Sequence, residues 1–362
     1  MAIVHDALVC AGGAERAAAF MAEAFPDAPV FTSAYVPAST FPAFRSRNVR
    51  QLPGARFVKT ESDLKRLFPW WVFAFRALDL RGYDVVLSST TFGAKHVRPP
   101  RGARHASYCY APFRLLWKPE AYEESSLPVG TVVGWGVSAL RPLLRALDRR
   151  AMKRIRAVAT TCRNMALEIR RAYDVESRVI YAPIRMADYR LSARSGDYYL
   201  SVSRLVSHKR VDLAIQACNA LGRRLIVVGT GPELARLRAL ANENVAFAGV
   251  VGDEDLRRLY AECRALLFCS HEDYGLAPIE AQASGRPVVA FGAGGALETV
   301  TESVSGVFFG SQQVDAVVEA LRQFENSRFD PARVRQTVER FDVGIFHDAI
   351  RAFAYGTTAD GQ

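Results

Sequence analysis

Two glutamates set the chemical question. In the stretch FCSHEDYGLAPIEAQASGRP (residues 268–287), Glu272 and Glu280 stand eight positions apart around a Tyr-Gly-Leu-Ala-Pro turn, after the apolar run RALLFCS. Such a run reads as a buried strand. Pro278 suits the first turn of a following helix, because its missing N–H would be unpaired there anyway. Glu272 is therefore expected in a strand-to-helix loop and Glu280 in the first helical turn. Between them lie Tyr274, Gly275, Leu276 and Ala277, and the backbone amides of residues 275–277 at a helix N-terminus attract an anion. Paired carboxylates also serve hydrolases as acid and base, about 5–9.5 Å apart across one bond, but nothing in this spacing demands it.

Two other loops share the same character. Residues 203–215 read SRLVSHKRVDLAI. Arg204 is expected to end a strand and Lys209 to begin a helix, giving two permanent cations suited to neutralising a diphosphate as a bond to it breaks. The plainer alternative is a solvated basic turn with Asp212 salt-bridged to one of them. Residues 10–17 read CAGGAERA. Here Gly12 and Gly13 permit a tight turn and close approach of backbone amides, with a ligand-free turn as the alternative. Neither this loop nor GTGPE (229–233) is a dinucleotide fingerprint: GxGxxG is absent from the first, and no acidic residue closes a following strand at the usual spacing in the second. A ligand with hydroxyls at both ends and phosphate between them satisfies the glutamates and amides together. A nucleotide sugar has that form, with sugar at Glu272, pyrophosphate at the amides and ribose at Glu280.

Such loops need a scaffold. Short apolar runs (MAIVHDAL, PVFTSAY, YDVVLSST, ARHASYCY, AVATTC) alternate with amphipathic segments such as 15–25 and 141–156, and RVIYAP, YYLSVSRL, RLIVVGTG, VAFAGVV, RALLFCS and RPVVAFG repeat the scheme in the second half. Strands alternating with helices imply parallel sheets of right-handed βαβ units. The fold class expected is α/β: two doubly wound, Rossmann-like domains facing across a cleft, residues 1–183 and 184–341, with the break in the polar, unpatterned stretch 183–196. Ligands of such sheets bind beyond the carboxyl ends of the strands.

Bulk properties agree with that scale. A chain of 362 residues suggests two domains, and 50% hydrophobic residues with a mean hydropathy of +0.01 exclude a disordered chain. Six scattered cysteines without a CxxC pair read as free thiols in a reducing compartment, with no disulfide frame and no metal site. The N-terminus MAIVHDALV lacks a basic leader region. The uncharged stretch 125–140 is broken by three glycines and falls short of the roughly 18–20 residues of a spanning helix. A soluble, cytoplasmic chain is expected.

The net charge is +10 and unevenly placed: residues 1–192 hold 29 Lys and Arg against 16 Asp and Glu, and the remainder 18 against 21. The basic surface thus belongs to the first domain and suits nucleic acid, an anionic substrate or an anionic bilayer. No nucleic-acid recognition motif accompanies it. Residues 64–79 mix basic residues with Phe68, Trp70, Trp71, Phe73 and Phe75, and residues 141–156 hold seven Lys and Arg against one acid. That pairing suits the surface of an anionic membrane; packed aromatics and a solvated basic face are the alternative.

EDYGLAPIE, with Glu272 and Glu280, resembles the E-x7-E signature of retaining glycosyltransferases of family 4, the GT-B group 1 transferases. VHDALVCAGGAERA resembles that family's glycine-rich N-terminal loop and SRLVSHKRVDLAI its phosphate-binding Arg/Lys segment. VGTGPEL, FAGVV, EAQASGRPVVAFGAGGALETV and SVSGVFF follow in the family's order, so the resemblance spans nearly the whole chain. VHD, RGYDVVLSS and YAPFRLLW look like mannosyltransferases that use GDP-mannose in bacterial surface polysaccharide assembly.

The resemblance implies a role for each loop. Arg204 and Lys209 hold the diphosphate and stabilise the leaving nucleoside diphosphate, Glu272 meets the donor sugar's hydroxyls and Glu280 the ribose. Tyr274, Gly275, Leu276 and Ala277 line the donor, Gly12 and Gly13 lie over its diphosphate from the opposite domain, and the backbone at Gly249 and Val250 meets the base. The anomeric configuration is kept, with no metal or other cofactor. The acceptor is lipid-linked or an oligosaccharide at the inner face of the plasma membrane, and residues 342–362 form a helix that crosses back to the first domain. One departure stands out. Relatives read Y-x-H-x-P-x-R-Y-x-W-D where this chain has YCYAPFRLLWK, so Tyr110 replaces the histidine near the donor sugar and Lys118 the aspartate. A phenol hydrogen-bonds a sugar hydroxyl but cannot serve as a proton carrier near neutral pH. His96 and His105, nearby in sequence, read as surface or packed histidines. That departure motivates a second reading, a catalytically decayed nucleotide-sugar-binding partner; a transferase using a UDP-sugar and an epimerase of similar two-domain fold are further alternatives.

Overall fold

The structure, a computed structural model, describes residues 1–58, 60, 63–64, 67–118, 132–192 and 195–357, with backbone alone at 68, 69 and 132–139. Residues 65 and 66 of the aromatic-basic segment, 125–131 of the uncharged stretch and 193–194 of the polar stretch lie outside the described residues. The chain divides into two compact units, Met1–Pro183 with Gly344–Gln362, and Ile184–Val343.

The first unit holds a seven-stranded sheet. Its strands are β1 (Ala2–His5), β2 (Val30–Thr32), β3 (Val49–Gln51), β4 (Val85–Thr90), β5 (Arg104–Cys109), β6 (Ala157–Thr160) and β7 (Arg178–Val179), in the order β3-β2-β1-β4-β5-β6-β7. Every neighbouring pair is parallel. β1 is buried along its whole length, as a parallel strand covered on both faces must be. Its main helices are α1 (Gly13–Ala24), α2 (Phe68–Arg76), α3 (Val132–Lys153) and α4 (Arg163–Tyr173). α1 is an alanine-rich run that buries Ala17, Ala18, Phe20 and Met21, combining strong helix propensity with a small-residue packing face.

Two elements differ from the sequence reading. RVIYAP, grouped above with the second half, supplies β7, the edge strand of the first sheet. β3, of sequence VRQ, has one half-buried and two exposed residues, so no apolar run announces it.

The second unit holds β8 (Tyr198–Val202), β9 (Arg224–Val228), β10 (Val245–Gly249), β11 (Leu266–Phe268), β12 (Val288–Phe291) and β13 (Gly306–Phe309), all parallel, in the order β10-β9-β8-β11-β12-β13. Its helices include α5 (Val211–Leu221), α6 (Leu276–Ala283) and α7 (Val314–Glu325). Leu213, Ala214, Val227, Leu267, Val289 and Leu321 lie in one buried cluster between this sheet and its helices. In both sheets the order reverses once, between β1 and β4 and between β8 and β11. Those reversals open crevices at the carboxyl ends of the strands, where doubly wound sheets bind ligands.

The last helix, α8 (Val343–Tyr355), packs on the first unit. Arg104 Nε donates to Ala354 O at 2.9 Å, Arg351 Nε to Ala24 O at 3.0 Å, and Phe346 meets Tyr108 edge-on at 6.0 Å. A buried charge cluster holds the loop after β4. Lys95 Nζ pairs with Asp148 Oδ1 at 2.8 Å, while Trp117 Nε1 and Tyr173 OH donate to Asp148 Oδ2 at 2.9 and 2.8 Å. With so many donors satisfied, the pair is costly to break from one side.

Candidate functional site

At the β8/β11 reversal the second unit brings two of the predicted residues, Lys209 and Glu272, into contact, with Arg204 on the loop after β8. Arg204 lies two residues beyond β8 and is exposed. Lys209 closes a 3-10 turn, Ser207–Lys209, ahead of α5 rather than beginning it. Glu272 lies in the loop after β11. Lys209 Nζ stands 2.6 Å from Glu272 Oε1, and Ser270 Oγ donates to the same oxygen at 2.8 Å. The carboxylate is therefore fixed through one oxygen. Asp212 pairs with Arg210 at 3.2 Å, leaving Lys209 to Glu272.

Glycines hold these loops in register. Gly229 has φ +126°, and a Cβ there would stand 1.9 Å from Ser203 O; one at Gly231 would stand 2.2 Å from Leu205 O. GTG thus lets the β9 loop lie flat against the backbone that carries Arg204, with Leu205 N–H donating to Thr230 O at 2.9 Å. Gly295 does the same for the other loop: its N–H donates to Glu272 O at 2.8 Å, and a Cβ would stand 2.2 Å from Tyr274 O.

Gly275 (φ +83°) is the N-cap of α6, with Leu276 and Ala277 as its first two residues. This positions Glu280 fifth in the helix, at the start of the second turn and not in the first. It is buried, and Tyr260 OH donates to its Oε2 at 2.9 Å. Tyr274 is buried and meets Phe341 edge-on at 6.2 Å. Gly249 ends β10 with φ +67°, and Val250 beside it is 77% exposed.

In the first unit the β1/β4 reversal carries a cavity of about 310 Å³ lined by His5, Asp6, Gly12, Gly13, Tyr110 and Arg114, among others. Gly12 caps α1 and Gly13 opens it. Asp6 organises the opposite rim. Its carboxylate accepts from Thr90 Oγ1 at 3.0 Å and from the backbone N–H groups of Phe92, Gly93 and Ala94 at 2.8, 2.9 and 2.6 Å. Tyr110 OH donates to Ala14 O at 2.9 Å and lies 2.8 Å from Ser89 Oγ. Burial pushes this phenol well above its ordinary pKa, so it stays protonated. Lys118, in the aspartate's place, pairs with Glu168 at 2.8 Å.

Both nearby histidines are packed. His96 stands 3.5 Å from Asp148, and burial lowers His105 to about 4. Five of the six cysteines are buried, and burial raises Cys109, Cys218 and Cys263 to about 12. Sequence reasoning missed Ser270, Tyr260, His5 and Ser89. The first two are common residue types outside any motif spacing, and the last two gain meaning only through contacts across the sheet. Among the described residues no helix is long and apolar enough to cross a membrane, and no three His, Cys, Asp or Glu cluster as a metal site would require.

The model of Glycosyltransferase Family 4 matches residues 11–187, and that of Glycosyl transferases group 1 matches residues 191–340. The GDP-mannose-dependent alpha-(1-6)-phosphatidylinositol monomannoside mannosyltransferase of Mycobacterium tuberculosis is 32% identical over 161 residues, 39% of this chain and 42% of that protein. Glycogen synthase of Pseudomonas syringae pv. tomato is 33% identical over 147 residues, 37% of this chain and 30% of that protein. The matched stretch therefore spans less than half the length of either relative. Among solved structures, Anabaena HepE in complex with UDP-glucose superposes with a TM-score of 0.69 at 18% identity, covering 98% of this chain and 99% of that one. At that identity the likeness speaks for the fold, which is GT-B.

Proposed function

The chain belongs to the group 1 glycosyltransferases of family 4, and from that premise we propose that it moves mannose from GDP-mannose, with retention, onto a lipid-linked or oligosaccharide acceptor in cell-surface polysaccharide synthesis. The observation that carries this reading is the Lys209–Glu272 contact at the β8/β11 reversal. It puts a cation for the diphosphate beside a carboxylate for the sugar, at the point where a doubly wound sheet receives a ligand.

The chemistry follows from those groups. The bond between the sugar's anomeric carbon and the diphosphate breaks, and the departing charge falls to Lys209 and Arg204, which stabilise it without reorganising. Glu272, fixed through Oε1 by Lys209 and Ser270, turns Oε2 to a sugar hydroxyl. Glu280 accepts from the ribose, and the backbone at Gly249 and Val250 meets the base. The acceptor oxygen bonds to the anomeric carbon on the face the diphosphate leaves, and its proton passes to the released diphosphate. Position 110 then needs no proton carrier, consistent with a phenol whose hydrogen is held by Ala14 O. With two permanent cations on the diphosphate, the reaction calls for no metal. The mycobacterial relative supports GDP-mannose; the UDP-glucose complex of HepE supports a UDP-sugar as the second reading.

The first unit carries the membrane contact in this proposal. On α2, Trp70 and Phe73 are 48% and 65% exposed, and α3 presents Leu140 and Leu143 beside its arginines. Val72 of α2 and Leu144 of α3 belong to one apolar cluster with Phe113, Leu115 and Leu116. Sedimentation with vesicles tests this: binding to phosphatidylglycerol vesicles that weakens with salt is expected, and equal binding to phosphatidylcholine, or none, contradicts it.

The reaction is tested with GDP-mannose and a membrane-lipid extract. Acceptor-dependent release of GDP and a product whose one-bond carbon–proton coupling at the anomeric centre matches the donor's configuration are expected. An inverted product contradicts the retaining mechanism, and release from UDP-glucose alone moves the donor to the second reading.

A further inference from the structure

His5 ends β1, lines the cavity beside Gly12 and Gly13, and is 1% exposed. Its Nδ1 lies 2.9 Å from Ser89 Oγ, which lies 2.8 Å from Tyr110 OH, which lies 2.9 Å from Ala14 O. The direction of this chain can be deduced. A carbonyl only accepts, so Tyr110 spends its single hydrogen on Ala14 O. Ser89 must then donate to Tyr110, and with its own hydrogen spent it accepts from His5 Nδ1–H. In the neutral ring the proton sits on Nδ1 and Nε2 is a bare acceptor.

That Nε2 is buried and has no hydrogen-bond partner among the described residues. Burial holds the ring's pKa below its ordinary value, with Asp6 and the carbonyls of Ala7 and Ser89 pulling the other way, so the ring is neutral at pH 7. A buried acceptor without a donor is a standing cost to the fold, and groups of that kind call for an explanation such as a missing ligand or water.

We propose that His5 Nε2 is a specificity-determining acceptor for a hexose hydroxyl seated in the Gly12–Gly13 cavity. This rests on the glycosyl-transfer reading above. The hexose has two possible sources, the transferred sugar or a sugar of the acceptor, and a hydroxyl donor is common to both. Sites built to pair with one hydroxyl reject analogues that lack it, because the protein's own polar group is then left unpaired.

The test compares wild type with His5→Phe, which keeps a ring but removes the acceptor, and His5→Gln, which returns one. If the hydroxyl belongs to the transferred sugar, His5→Phe weakens GDP-mannose binding about tenfold or more while GDP binds as before. If it belongs to the acceptor, donor binding is unchanged and the KM for the lipid extract rises about tenfold at similar kcat. In either case His5→Gln recovers part of the loss, which a merely structural role would not produce. Nitrogen-15 NMR of imidazole-labelled wild type decides the matter even where a variant fails to fold. A proton on Nδ1, with the Nε2 resonance shifting when GDP-mannose or the extract is added, is expected. A proton on Nε2, or unchanged affinity and KM in folded His5→Phe, overturns the proposal. Wild type that binds no nucleotide sugar defeats the functional reading itself, a result distinct from normal wild-type binding with an indifferent His5→Phe.

Discussion

Lys209 and Glu272 hold each other at 2.6 Å with their side chains 18% and 22% exposed. A pair with partial access to water adds about 1 kcal/mol to stability, so in the proposed mechanism its value lies in keeping a cation and a carboxylate in place for the donor. Lys209→Ala is expected to lower turnover about 10²–10³-fold, as loss of one preorganised charge does, while shifting Tm by only a few degrees. A large fall in Tm with near-normal turnover would show the pair to be structural. Their placement in strand-to-helix loops was legible in the sequence, because each lies beside a recognisable turn. Ser270, the second donor to Glu272, was not, since a serine beside a strand end has many ordinary uses. The role of His5 was also out of reach, because it depends on Ser89, 84 residues away.

Among the elements, the glycine loops decide whether those side chains meet. At Gly229 both the φ of +126° and the 1.9 Å approach to Ser203 O forbid a Cβ, whereas Gly252, the N-cap of the helix Asp253–Glu262 beyond β10, has open space. Gly229→Ala is expected to destabilise the fold by about 1–3 kcal/mol, the scale of strained backbone, and to weaken donor binding by moving Arg204. Gly252→Ala should cost only a few tenths of that scale and leave binding alone. Chemical denaturation and calorimetry on the two variants read both effects; equal behaviour would mean the GTG segment does not support the Arg204 loop. The alternation of apolar runs with amphipathic segments made most strands visible, but pairing partners are not a property of a run. Hence RVIYAP could be recognised as a strand while its place at the edge of the first sheet could not. The start of α6 shows a similar limit: Gly275 in a left-handed conformation starts the helix earlier than Pro278 suggests, and Glu280 moves into the second turn.

For the whole molecule, two parallel sheets, alike in strand order except for the extra edge strand β7 of the first, account for the two-unit division, and the chain returns to the first unit through α8. Stability of the first unit carries a pH signature. His105 is buried beside Ser88 Oγ at 3.0 Å, and burial lowers it from 6.5 to about 4. Its folded pKa lies below its unfolded one, so the unfolded chain gains the proton first as pH falls. The contribution is full above pH 6.5 and is lost between there and about 4, on the order of 3 kcal/mol. His5 is lowered in the same direction. Denaturation midpoints between about pH 7.5 and 4.5 should therefore fall more steeply in wild type than in His105→Phe. Parallel curves would show that His105 ionises freely in the fold.

The most direct test of the central claim is calorimetric titration of GDP-mannose, with UDP-glucose, UDP-galactose and UDP-GlcNAc beside it, into wild type, Lys209→Ala and Glu272→Ala. Saturable binding of GDP-mannose to wild type is expected, lost or strongly weakened in Lys209→Ala, with Glu272→Ala weakened toward GDP-mannose and unchanged toward GDP. Binding that is indifferent to both substitutions, or absent for every donor in wild type, would contradict the assignment of this loop pair as the donor site.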